Sequence, residues 1–250
     1  MKFHCLFEQS GTFKHVFREF GHEAWDYDLS NDYGQTDFRI DLFREIEFAY
    51  DNLMLSDRGD YEWQKTIFDD MEPETDFIIA FFPCTYFSDM NELVFKCVSC
   101  NGKDFNNNIP HEHIDRLIKR STSRSNFYNL FLKLCFVAQE LGLKMIVENP
   151  SSAIKRSYLE LYSPYRPSWV EQDRTLFGDH FRKPTNFFAI NFEMQEQFMM
   201  FDEEVNKKSI KGRRRMNPAV VERNQVKRSE ITQRYARNFY RRFIEKAVAE

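Results

Sequence analysis

Short apolar runs alternate with helically spaced segments along this chain. Lys2 to Phe7, Glu23 to Asp28, Asp76 to Phe82 and Lys144 to Glu148 read as strands. Between them Phe13, Val16, Phe17 and Phe20 recur at three and four, and Leu130, Leu132, Leu134, Val137 and Leu141 form a wider stripe that stops at Gly142. The stretch from Ser229 to Val248 reads as a further helix, with Ile231, Tyr235, Phe239 and Phe243 four apart and arginines opposite. This alternation predicts an α/β fold in one domain, with a mainly parallel sheet, helices on both faces and ligands gathered where the strands end.

Composition supports a packed core: of 250 residues 42% are apolar and 27 are Phe, while Gly and Pro contribute 8 each. No apolar run reaches the roughly 18 residues of a membrane span, and the polar start is too short for a signal peptide, so a cytoplasmic location is expected. Five cysteines without an export signal argue against a disulfide framework. The net charge of −4 hides an asymmetry, because 206–250 holds 14 Lys and Arg against 4 Glu. Lys207, Lys208, Lys211, Arg213, Arg214 and Arg215 are its densest part, suited either to phosphate contacts or to a solvated linker.

Candidate chemistry lies just beyond the strands. Phe7 to Phe13, with Ser10, Gly11 and Thr12, is a small-residue turn whose backbone amides could face a ligand, and Asp28 ends the second strand where a carboxylate can accept ribose hydroxyls. Pro83-Cys84 follows a buried strand, so the thiol is either a core residue or a nucleophile. Glu148, before Asn149-Pro150, is either a helix cap or an acid in the same cleft, with Pro150 breaking the strand ladder. Cys97 and Cys100, with His111 and His113 downstream, offer four zinc ligands; incidental residues in a loop explain them as well.

In order and approximate spacing these segments resemble the cytosine-5 DNA methyltransferase family, particularly its short phage and prophage members. Leu6 to Phe13 is similar to the motif that opens the S-adenosylmethionine site, Gly21-His22-Glu23-Ala24 leading to Asp28 to the ribose-binding strand, and Asp41 to the acid that meets the adenine amino group. Pro83-Cys84 with Phe87-Ser88 resembles the nucleophile motif, and Glu148-Asn149-Pro150 the Glu-Asn-Val motif. Asp173-Arg174-Thr175 with Gly178 and Lys183-Pro184-Thr185 resembles the region supplying an active-site Arg, and Arg228 to Ala236 the closing helix.

The resemblance implies a Rossmann-like, S-adenosylmethionine-dependent methyltransferase fold and a DNA partner in a bacterial or phage-infected cell. Cys84, Glu148 and Arg174 would be catalytic; Phe7, Ser10, Gly11, Thr12, Phe13, Asp28, Leu29, Asp41 and Pro83 would bind the cofactor. No metal is implied. The chain departs from the family at Gln9-Ser10, Thr85 and Pro150 and lacks the second Arg of the Gln-x-Arg-x-Arg pattern. A reduced recognition region over 186–228, before a C-terminal helix at 229–248, leaves room for RNA, single-stranded DNA or a pyrimidine nucleotide as substrate. A catalytically silent binding protein is the other alternative.

Overall fold

The computed structural model describes residues 1–88, 111–152, 156–197 and 231–249. Seven strands form its sheet: β1 (Lys2–Leu6), β2 (Glu23–Asp28), β3 (Phe38–Arg39), β4 (Asp76–Phe81), β5 (Lys144–Pro150), β6 (Trp169–Glu171) and β7 (Thr185–Ile190). The helices are α1 (Thr12–Glu19), α2 (Leu42–Leu55), α3 (His111–Glu140), α4 (Tyr158–Tyr162), α5 (Gln233–Phe243) and α6 (Glu245–Ala249). The strand order is β3-β2-β1-β4-β5-β7-β6. The first five strands of that order are parallel, β7 runs antiparallel to β5, and β6 antiparallel to β7.

The two-residue period of the strands divides the core. Phe3, Cys5, Phe77, Ile79 and Ile146 face Phe13, Val16 and Phe17 of α1 and Tyr235, Phe239 and Phe243 of α5. Leu6, Ile78, Ala80, Met145 and Val147 face the opposite way, against Leu42 and Ile46 of α2 and Leu130, Phe131 and Leu134 of α3. Helices therefore cover both faces, which explains why β4 is apolar almost throughout. Among the described residues no helix is long and apolar enough to cross a membrane.

Several boundaries differ from those the sequence predicts. Phe7 leaves β1 with φ 60, and β4 stops at Phe81. Pro150 does not end β5: it stays in register opposite Thr185, and the Ser151 amide donates to the Pro184 carbonyl at 2.8 Å. Alternating amides place the donor that Pro150 lacks toward β4, whose ladder with β5 already stops at Glu148, so the missing donor costs no bond there. β7 also occupies residues expected to belong to the recognition region, since Phe187 and Phe188 alternate between the two cores. The C-terminal helix starts later than expected, at Gln233, where the Thr232 hydroxyl accepts from the Tyr235 amide at 3.1 Å.

Candidate functional site

The order β3-β2-β1-β4-β5 reverses direction between β1 and β4, and a doubly wound sheet opens a crevice at that switch point. Three turns converge on this edge: the loop after β1, the Pro83-Cys84 loop after β4, and the end of β5. Because β7 is antiparallel, its beginning lies at the same edge, so Lys183 and Pro184 arrive beside the end of β5.

Cys84 is solvent-exposed, whereas Cys5 and Cys135 are buried. Its carbonyl accepts from the Phe87 amide at 3.1 Å, which folds the loop into a tight turn. Two side chains absent from the sequence-derived site hold this loop. Asn149 Nδ2 donates to the Phe82 carbonyl at 3.2 Å, and Arg124 Nε donates to the Tyr86 carbonyl at 3.1 Å. Glu148 stands directly opposite Phe81 in the ladder, and its charge acts on the Cys84 thiol.

Beneath Glu148 lies Arg174, with no exposed surface. Its Nη1 donates to Glu148 at 3.4 Å, its Nη2 approaches Asp179 at 2.7 Å, and its guanidinium lies 4.3 Å from the centroid of Tyr235. Arg174 thus sits where it orients Glu148. The α5 helix closes over this group: Thr232 donates to the Gly178 carbonyl at 2.8 Å, and Asn238 donates to the Phe177 carbonyl at 2.8 Å. Gly178 adopts φ +100, which a side chain would strain, and Arg234 Cγ stands 2.7 Å from where a Cβ would be, so that arginine side chain would have to move aside.

Electrostatics tie Cys84 to its neighbours. Although residue 84 keeps exposed surface, desolvation of its thiol raises the pKa, negative Glu148 adds to the rise, and Lys183 opposes it. Burial, then the charge of Arg174, lowers the Lys183 pKa, while Glu148, Asp179 and Cys84 favour its charged form. Alkylation of Cys84 by iodoacetamide should therefore accelerate well into the alkaline range, where the reactive thiolate forms. Glu148→Gln should shift that pH profile down and Lys183→Met should shift it up, as read by mass spectrometry of the Cys84 peptide. Shifts of the opposite sign would mean that these charges do not act on the thiol.

The loop after β1 departs from the expected arrangement. Glu8, which carries no sequence signal of a role, is buried and turns its carboxylate onto the start of α1. It accepts from the Phe13 amide at 2.9 Å and the Lys14 amide at 3.4 Å, and the Thr12 amide donates to Ser10 Oγ at 3.3 Å. These amides, expected to face a ligand, are satisfied by the chain itself, as buried backbone donors must be. Gly11 supports the turn at φ +65. Burial, offset in part by those amide bonds, pushes the Glu8 pKa up to about 7.

Beside this loop, Asp28 is half-buried, accepts from the Ser30 amide at 2.7 Å, and has a pKa raised mainly by burial. Asp41 caps α2, accepting from the Phe43 amide at 3.1 Å. Leu29 is 62% exposed and Phe43 36%, an apolar pair flanking these acids. Phe43 meets Phe7 edge-on at 6.0 Å, and Pro83 stands at the neighbouring strand end.

The structure therefore gathers Cys84, Glu148 and Arg174 at one end of the edge and Phe7, Ser10, Gly11, Thr12, Phe13, Asp28, Leu29 and Asp41 at the other, with Pro83 between. The basic residues Lys207 to Arg215, and Cys97 and Cys100 of the zinc reading, lie outside the described residues. His111 and His113 open α3, with His113 buried. Among the described residues no cluster of three or more metal-ligating side chains occurs.

Fold and site together define an α/β protein with a doubly wound sheet and a thiol-carboxylate pair beside its switch point. No family model matches the chain, and a search of curated proteins returns no significant match.

Proposed function

We propose that this chain is an S-adenosylmethionine-dependent methyltransferase that modifies carbon 5 of cytosine in DNA through a covalent Cys84 adduct. The observation that carries this reading is the meeting of an exposed thiol and a carboxylate on adjacent strand ends, next to the switch-point crevice. Cys84 adds to carbon 6 of the ring, and Glu148 holds a proton at nitrogen 3, which neutralises charge as it develops. Carbon 5, now enamine-like, takes up the methyl group; transfer of the carbon 5 proton to a base then restores the ring double bond as the bond to Cys84 breaks and the thiolate leaves. Arg174 fixes the direction of the Glu148 carboxylate. A base in a duplex must first leave the stack, at a cost of about a few kcal/mol.

The other end of the edge fits the cofactor. Asp28 would hold ribose hydroxyls, Leu29 and Phe43 would cover an adenine, and Asp41 would border its amino group, while Phe7 to Phe13 and Pro83 wall the crevice. When bound, the cofactor supplies an electrophilic methyl group on its sulfonium.

Two measurements test this reading. Calorimetry with S-adenosylmethionine and its demethylated product should give a dissociation constant below the millimolar range, which corresponds to about −4 kcal/mol. Base analysis of DNA from cells expressing the chain should then find 5-methylcytosine. Absence of heat with either compound overturns the cofactor site. Binding without modified DNA moves the substrate to RNA, single-stranded DNA or a nucleotide, or makes the chain a silent binding protein.

A further inference from the structure

The α3 helix is much longer than the sheet it crosses. Its 30 residues extend about 45 Å, against about 23 Å for the seven residues of β5. The carboxyl half of α3 packs on the sheet through Leu130, Phe131, Leu134, Cys135, Val137 and Ala138 before the chain turns into β5. Roughly the first four turns therefore project past the strand ends, on the side where Cys84 and Glu148 lie. Arg124 marks the crossing point: it donates to the Tyr86 carbonyl beside Cys84 and lies 4.7 Å from the centroid of Tyr158.

Helix geometry says which side chains the projecting arm turns toward the cleft. Residues eighteen apart on an α-helix are about five turns apart and point the same way. Arg116, Lys119 and Arg120 thus share the directions of Leu134, Val137 and Ala138, all fully buried against the sheet. On the arm Arg116 and Lys119 are exposed, while His113 is buried and Leu117 and Arg120 are half-buried, so the first two cations are the ones most open to a ligand. From Arg116 to Asn126 the helix carries four cations and no acid, and Ser121, Thr122, Ser123 and Ser125 follow Arg120. Outside 206–250 the chain carries net −14, so this is a basic arm on an acidic body.

We infer that the Arg116, Lys119 and Arg120 face of this arm binds the phosphate backbone of the nucleic acid whose base enters the Cys84 cleft. The inference rests on the proposed function and adds a surface for its substrate. Cations clustered on one face match a row of phosphates, and such contacts fix a strand in place without reading its bases. Because Arg124 belongs to the same helix and grips the nucleophile loop, a strand seated on the arm is registered against Cys84.

The test uses the full chain and a labelled oligonucleotide, single- and double-stranded, titrated at several salt concentrations. Replacing Arg116, Lys119 and Arg120 by Ala should make the log-log salt slope shallower by up to about 2.7 units for B-form DNA or about 2.1 for a single strand, with helicity by circular dichroism unchanged. Arg116→Lys with Arg120→Lys should keep the wild-type slope. If wild type binds and the alanine variant keeps its slope, the inference falls while the proposed function stands; the arm then faces a protein partner or solvent. The inference falls equally if the lysine variant loses as much slope as the alanine one. If wild type binds no nucleic acid, both readings fall.

Discussion

Cys84→Ser should lower methyl transfer by about four orders of magnitude, about 5.4 kcal/mol in barrier, while leaving cofactor affinity within about a factor of two. The hydroxyl is a far weaker nucleophile than the thiolate, and the cofactor end of the crevice does not contain residue 84. Glu148→Gln should fall between wild type and Cys84→Ser, because an amide can donate a hydrogen bond but cannot transfer a proton to nitrogen 3. The measurement is transfer of labelled methyl groups at saturating cofactor, with calorimetry alongside. A Cys84→Ser protein working at the wild-type rate would falsify the covalent mechanism.

The second large effect concerns stability. In the folded chain the Glu8 pKa stands at about 7, against an ordinary glutamate value near 4.5. Between those values the folded protein binds more protons than the unfolded one, so this residue's contribution to stability falls as pH rises through the interval and levels off above it. A shift of that size corresponds to about 3 kcal/mol. Glu8→Gln removes the titration. Other buried groups titrate nearby, so the quantity to measure is the wild-type unfolding free energy minus that of Glu8→Gln, from urea melts between pH 5 and 8. That difference should decline by about 2.5 kcal/mol over this window; a flat difference would mean that Glu8 is not held in a desolvated pocket.

Four strands and much of the site were legible because their residues follow parallel strands, and the rule that ligands collect at carboxyl ends pointed to Asp28, Cys84 and Glu148. Lys183 was missed as a partner of Cys84 for a related reason: it precedes an antiparallel strand, which reaches the reactive edge at its beginning. β3 and β6, two and three residues long, carry too few positions for a period to register. The amino-terminal half of α3 escaped notice because its more buried positions include His113, Leu117, Arg120 and Arg124, with a single leucine among them, so no apolar periodicity marks it. Glu8 gave no signal, since nothing in the sequence says that an acid one residue after Phe7 folds back onto a helix start.

That folded-back carboxylate also bears on which ligands the crevice can admit. Helix starts at the switch points of doubly wound sheets commonly receive pyrophosphate groups, through free amides and a positive field. Here the amides of Phe13 and Lys14 already hold Glu8, and a dinucleotide would bring its own negative charges against that carboxylate. A ligand carrying a sulfonium or an ammonium group meets attraction at the same place once Glu8 has ionised. Under the proposed function the loop would act as a charge filter, disfavouring phosphorylated nucleotides that share adenine and ribose with the cofactor and selecting by the sign of what lies beyond the sugar.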